Sequence, residues 1–252
     1  MMDYLADFTN LSQTELLICF GVVFLAGLVR GFAGFALSAI VMAGAVLILP
    51  PIELIPVTYM LEGAASILMF RGGLKSANMR VVKGLVIGSF IGVPIGLLAT
   101  TTFPIEVSKL VALCVIMALA IAQLFRFAPK FLDTQPGLYG SGLVAGIATG
   151  LASVGGMVVA LYVLASKSDP KTMRASLVVF LFVGMFTSLI YLVLYDVLTL
   201  ISLKRGLVFT PPVLIGVVLG SALFRPSLIV FYRRFCLTLL LVLAAVGLIN
   251  LL

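Results

Sequence analysis

Gly27-Leu28-Val29-Arg30-Gly31-Phe32-Ala33-Gly34 and Gly146-Ile147-Ala148-Thr149-Gly150-Leu151-Ala152-Ser153 are the two stretches that decide the fold. Each ends a short apolar segment in small residues, and a second apolar segment follows at once. Breaks are expected at Gly31 to Gly34 and at Gly150 to Gly156. At membrane depth, non-helical backbone survives only where it is buried in protein or lines a wet cavity. A matched pair of such breaks is therefore a pointer to a binding site in a polytopic membrane protein.

Working outward, apolar runs bounded by charge, Pro and Gly lie near 13 to 30, 34 to 49, 52 to 70, 81 to 99 and 105 to 125. Five more lie near 137 to 151, 153 to 166, 172 to 195, 205 to 223 and 228 to 250. The stretch RFAPKFLDTQP is long enough to join two halves. The expected organisation is a first transmembrane repeat at 1–125, a cytoplasmic linker at 126–136 and a second repeat at 137–252. Gly84, Gly88, Gly92 and Gly96 form a ladder at four-residue spacing, matched in the second half by Pro212, Gly216 and Gly220. Such spacing lets a neighbouring helix backbone approach closely.

Composition agrees. The 252 residues are 63% hydrophobic and 10% charged, with a mean hydropathy of +1.31, so the apolar surface exceeds what a soluble core could bury. Lipid is the expected solvent. The net charge of +7 does not point to nucleic acid, because the cations sit between apolar runs as topology signals do. Arg71, Lys75, Arg80 and Lys83 put one loop inside; Arg126 with Lys130, then Lys167, Lys171 and Arg174, then Arg225, Arg233 and Arg234 follow. Lys204 and Arg205 alone fall on the wrong side. The acidic N-terminus, with Asp3 and Asp7, falls outside and does not read as a cleavable signal peptide.

The expected fold class is thus an all-α polytopic membrane protein. It has two inverted repeats, each a broken or re-entrant helical hairpin followed by three transmembrane helices, since an odd number of crossings makes the second half enter from the opposite face.

At each break a new half-helix begins, and its free N–H groups and positive dipole end favour an anion. The donors are expected from Gly34, Phe35 and on to Leu37, and from Ser153 to Gly156, with the Ser38 and Ser153 hydroxyls adding to them. Candidate substrate-binding residues are therefore Arg30, Gly31, Gly34, Phe35, Ser38, Gly150, Ser153, Gly155 and Gly156. Arg30 either faces an anionic substrate, pairs with a carboxylate or snorkels to the surface. Glu62, near the middle of its segment, either carries a coupling ion or holds Arg30. Glu53 and Glu106 read as interfacial. Ser66, Thr187 and Ser188 either bond to their own backbone or line the cavity.

With no His in the chain, neither a Ser-His pair nor a Cys/His metal cluster is available, so no enzyme, metal or cofactor is expected. Cys19, Cys114 and Cys236 read as packing residues. The implied partners are a small anion, the lipid bilayer and a coupling proton or sodium ion. A homodimer is compatible with the sequence. An anion channel and a non-transporting membrane subunit are the alternatives to a transporter.

The breaks GLVRGFAGFALS and GLVAGIATGLASVGG, the ladder GLVIGSFIGVPIG and the two-halved plan together resemble the sulfite exporter TauE/SafE family, from about residue 14 to 250. The resemblance implies secondary transport of sulfite or an organosulfonate such as sulfoacetate, in the bacterial inner membrane. Family members typically carry a fuller glycine cluster followed by Pro in each half. Here Phe35-Ala36-Leu37 stands in the first cluster, and Gly155-Gly156 is followed by Met157 in the second.

Overall fold

A computed structural model describes residues 2–70, 77–127, 129–165 and 170–251. Arg71, Lys75 and Lys167 of the topology reading lie outside the described residues. The regular elements among the described residues are all helical: α1 (Met2–Thr9), α2 (Gln13–Ala33), α3 (Leu37–Ala45), α4 (Pro51–Phe70), α5 (Met79–Thr102) and α6 (Ile105–Leu124) precede α7 (Gln135–Ala152), α8 (Gly155–Ala165), α9 (Pro170–Leu194), α10 (Leu200–Leu223) and α11 (Ile229–Leu251). Among the described residues, seven helices are long and apolar enough to cross a membrane: α2, α4, α5, α6, α9, α10 and α11. The protein is a multi-pass integral membrane protein. Helices α3 and α8, of 9 and 11 residues, rise only about 14 and 17 Å, well short of a hydrocarbon core of about 30 Å.

The principal helix pairs fall into two matching sets. Helix α2 lies along α10 as α7 lies along α5; α4 packs on α10 as α9 packs on α5; α4 meets α9 and α6 meets α11. The glycines explain the closest pairs. A methyl carbon placed on Gly88, Gly92 or Gly96 would lie 2.1 to 2.4 Å from the carbonyl oxygens of Tyr139, Leu143 and Ile147 on α7. Gly27, Gly31, Gly216 and Gly220 bring α2 and α10 together in the same way. Without a hydrophobic drive between helices in lipid, this backbone proximity supplies the van der Waals contact that holds each pair.

Two findings concern the ends. The first residues, outside the apolar runs, form a helix, α1. It stops at Asn10, in the left-handed region at φ 52, and Ser12 then caps α2 in a reciprocal pair with Glu15. Helix α10 starts at Leu200 rather than 205, because Thr199 and Ser202 form a reciprocal cap. Lys204 and Arg205 therefore sit in helix, not loop. Arg205 is 4% exposed, pairs with Glu53 and donates through Nε to the Thr9 carbonyl at 2.9 Å. Lys204 Nζ lies 4.9 Å from the centre of the Phe8 ring. These two cations thus depart from the topology rule because α1 and the start of α4 hold them. Cys19 and Cys236 are buried as packing residues, whereas Cys114 faces outward.

Candidate functional site

The breaks are built from left-handed residues at matched positions. Gly34 (φ 82) ends α2 and Ser153 (φ 58) ends α7, and Ala36 (φ 73) precedes α3. Gly31 and Gly150 stand before the breaks, inside regular helix. Their surroundings are backbone: Gly31 lies against Val217, Gly220 and Ser221, and Gly150 against Val93, Gly96 and Leu97. Both thus pack closely against a neighbouring helix, α10 for Gly31 and α5 for Gly150. The N–H donors differ from expectation. Those of Gly34, Ser153 and Val154 return to Arg30, Thr149 and Ala148 carbonyls, closing the helix before each break.

Arg30 is completely buried. Its guanidinium donates to the Gly34 carbonyl at 2.5 Å and to Ser66 Oγ at 3.2 Å, and it lies 3.3 Å from Glu62 Oε2. Of the readings open for Arg30, the structure selects pairing with a carboxylate. Arg30 thereby ties the first break to the middle of α4. Phe35 is also buried, and Gly34 serves as the cap and as an acceptor for Arg30.

Glu62 reaches the other way. Its Oε1 accepts from Ser38 Oγ at 2.9 Å and from the Ser38 N–H at 3.4 Å. The first turn of α3 is thus capped by a carboxyl group of the chain's own.

Ser38 and Glu62 form one side of a small cavity. The second break forms another side through Ser153, Gly155 and Gly156, with Thr149 behind them. Ser153 Oγ accepts from the Thr58 hydroxyl at 2.8 Å, which fixes this break to α4 as Arg30 fixes the first. Gly155 and Gly156 open α8, and the first N–H groups of a helix have no acceptor within it. A methyl on Gly155 would fall 2.0 Å from Thr149 Oγ1, so only glycine fits there.

The remaining walls are Tyr59 from α4, Ser89 from α5, and Phe180, Leu181, Gly184, Met185 and Ser188 from α9. The Tyr59 oxygen is buried and makes no hydrogen bond of standard geometry, with Ser188 beside it. Ser66 is taken by Arg30, Thr187 bonds to its own backbone at Gly184, and Ser188 faces the cavity. Sequence reasoning missed Tyr59, Ser89, Phe180, Leu181, Gly184 and Met185. A signal existed for part of this wall: Tyr59, Glu62 and Ser66 recur at helical spacing along an otherwise apolar helix, as do Leu181, Gly184, Met185 and Ser188 on α9.

A model of the sulfite exporter TauE/SafE family matches residues 19–247, most of the chain. The chain belongs to the TauE/SafE family. Neither the search of curated proteins nor that of solved structures gave a match. Family and fold are consistent with a membrane transporter of small anions. Ala36 stands in the left-handed region, at a cost of about 1 kcal/mol over glycine.

Proposed function

We propose that this TauE/SafE protein is a secondary transporter that moves a small sulfur-containing oxyanion, sulfite or an organosulfonate such as sulfoacetate, by alternating access across a bacterial inner membrane. The observation that carries the reading is the convergence of both breaks on one cavity: Ser38 from the start of α3, and Ser153, Gly155 and Gly156 from the start of α8. Arg30 and Glu62 cancel each other's charge, so attraction for an anion falls to the α8 end and to the surrounding hydroxyls of Tyr59, Ser153 and Ser188. Three oxygens of a sulfite or sulfonate suit several such donors at once. Phe180, Leu181 and Met185 suit the carbon part of an organosulfonate. In this reading the substrate leaves chemically unchanged, and the protein is not an enzyme.

The matched packing supports two inverted repeats, α2–α6 and α7–α11, with α3 and α8 as the inner arms of the two hairpins. The backbone-packed pairs α2–α10 and α5–α7 then act as rigid units, and alternating access comes from rocking one against the other around the cavity.

The test is thermal unfolding of the detergent-solubilised protein with sulfite, sulfate, sulfoacetate, taurine, phosphate and small carboxylates. A ligand of the folded state raises its apparent stability, by about 2.7 kcal/mol at a hundredfold excess over Kd. A selective shift with sulfite or a sulfonate is expected. Equal shifts with every anion, or none with any, would remove the proposed substrate class.

A further inference from the structure

We infer that Glu62 is the coupling group of this transporter: it takes up one proton from solvent when the substrate anion binds, so that anion and proton move together. The inference rests on the anion-transport reading above and concerns how the same cavity handles charge.

The two breaks correspond in backbone but not in occupancy. At the start of α3, Ser38 gives both its N–H and its hydroxyl to Glu62 Oε1. Among the described residues no carboxylate matches it at the start of α8, where Gly155 and Gly156 line the cavity. One helix start is therefore capped by a carboxylate of the chain and, among the described residues, the other is not; both line the same cavity. A substrate anion at α8 faces the Glu62 carboxylate across a small, largely apolar space, where like charges repel strongly.

The charged groups around Glu62 leave one way to relieve that repulsion. Arg30 comes from α2, Ser38 from α3, Tyr59 from α4 itself, and Thr149, Ser89 and Ser188 from α7, α5 and α9. On α6, Glu106 pairs with Lys109; on α10, Arg205 pairs with Glu53 of α4 and Lys204 lies over the Phe8 ring. Among the described residues Arg30 is the one cation facing Glu62. The pair is also under-satisfied: Arg30 Nε and Glu62 Oε2 are buried without a hydrogen bond. A structural ion pair at this depth is costly unless its remaining donors and acceptors are met.

With Glu62 ionised, Arg30, Glu62 and a bound monoanion sum to one negative charge. With Glu62 protonated, Arg30 and the monoanion sum to zero. The proton comes from solvent and adds to the carboxylate, and no other bond changes. Binding is therefore favoured at low pH, and affinity falls as pH rises through the linked window.

The test measures binding of methanesulfonate and of sulfoacetate by calorimetry between about pH 5 and about pH 8, in buffers of different ionisation heat, with the purified full chain. The charge of methanesulfonate is constant over that range. The expected result is a Kd that rises by up to about tenfold per pH unit, with close to one proton taken up per anion. Glu62→Gln should hold a Kd that no longer depends on pH and should take up no proton. A wild-type Kd independent of pH with no proton exchange would overturn the inference, as would unchanged pH dependence in Glu62→Gln. The wild-type proton count decides even if that variant fails to fold. If neither sulfonate binds at any pH, the organosulfonate reading fails and this inference with it, an outcome distinct from binding without proton uptake.

Discussion

Gly92→Ala tests the packing that frames the cavity. The added methyl would lie 2.1 Å from the Leu143 carbonyl oxygen, 2.8 Å from the Ile147 nitrogen and 3.0 Å from Gly146 Cα. All three are backbone atoms of α7, so no rotamer change can make room. Ordinary contact begins at 3.4 Å, so α5 and α7 must part by about 1 Å, and Gly88 and Gly96 on either side lose their close approach as well. Overpacking of this kind costs about 1 to 3 kcal/mol, and the lost Cα–H···O contacts add to it. Gly140→Ala is the control on the same helix pair: nothing lies within 4 Å of its added methyl, and helix propensity alone favours alanine by about 1 kcal/mol. Thermal unfolding in detergent should therefore move in opposite directions, with Gly92→Ala melting roughly 5 °C or more below Gly140→Ala. A Gly92→Ala midpoint equal to or above that of Gly140→Ala would refute the close-packed α5–α7 pair.

Two further variants probe the charges. Arg30→Ala strands Glu62 and should destabilise by about 3 to 5 kcal/mol, whereas Arg30→Gln with Glu62→Gln together should recover much of that loss; simple additivity in unfolding midpoints would contradict the pair. Arg205→Ala should cost more than Glu53→Ala, because Arg205 is buried and also holds the Thr9 carbonyl, while the Glu53 side chain is 40% exposed and solvent-screened. Equal midpoints for these two would remove the tie between α1 and α10.

The helices were legible because their signals are local. Apolar runs set helix lengths, and the glycine ladder at four-residue spacing announced close pairs. Gly34 and Ser153 marked matched ends, since a helix closes readily on a left-handed residue. The site was legible only in part. Ser38, Glu62, Ser153, Gly155 and Gly156 line the cavity, while Gly31 and Gly150, read as part of the breaks, pack closely against a neighbouring helix. Periodicity says that a glycine faces a neighbour, not whether that neighbour is a helix or a ligand. Arg30 shows the same limit: its partner lies 32 positions along the chain on another helix, and sequence could offer Glu62 but not choose it. The α9 wall was missed because Leu181 and Met185 look like any lipid-facing residues until the topology turns them inward. Lys204 and Arg205 looked misplaced because their partners, on α1 and at the start of α4, are remote in sequence.

The most direct measurement is counterflow in proteoliposomes: vesicles preloaded with unlabelled sulfoacetate or sulfite, with uptake of the labelled anion followed for wild type and for Gly156→Ala. The added methyl of that variant points toward Leu181 at 3.3 Å, a flexible side chain that can yield, so the fold should survive while the cavity narrows. The account predicts saturable exchange in wild type, competed by sulfonates and weakened in Gly156→Ala. Absence of exchange in folded wild type, or full exchange in a variant whose cavity is narrowed, would contradict an anion path between the two breaks.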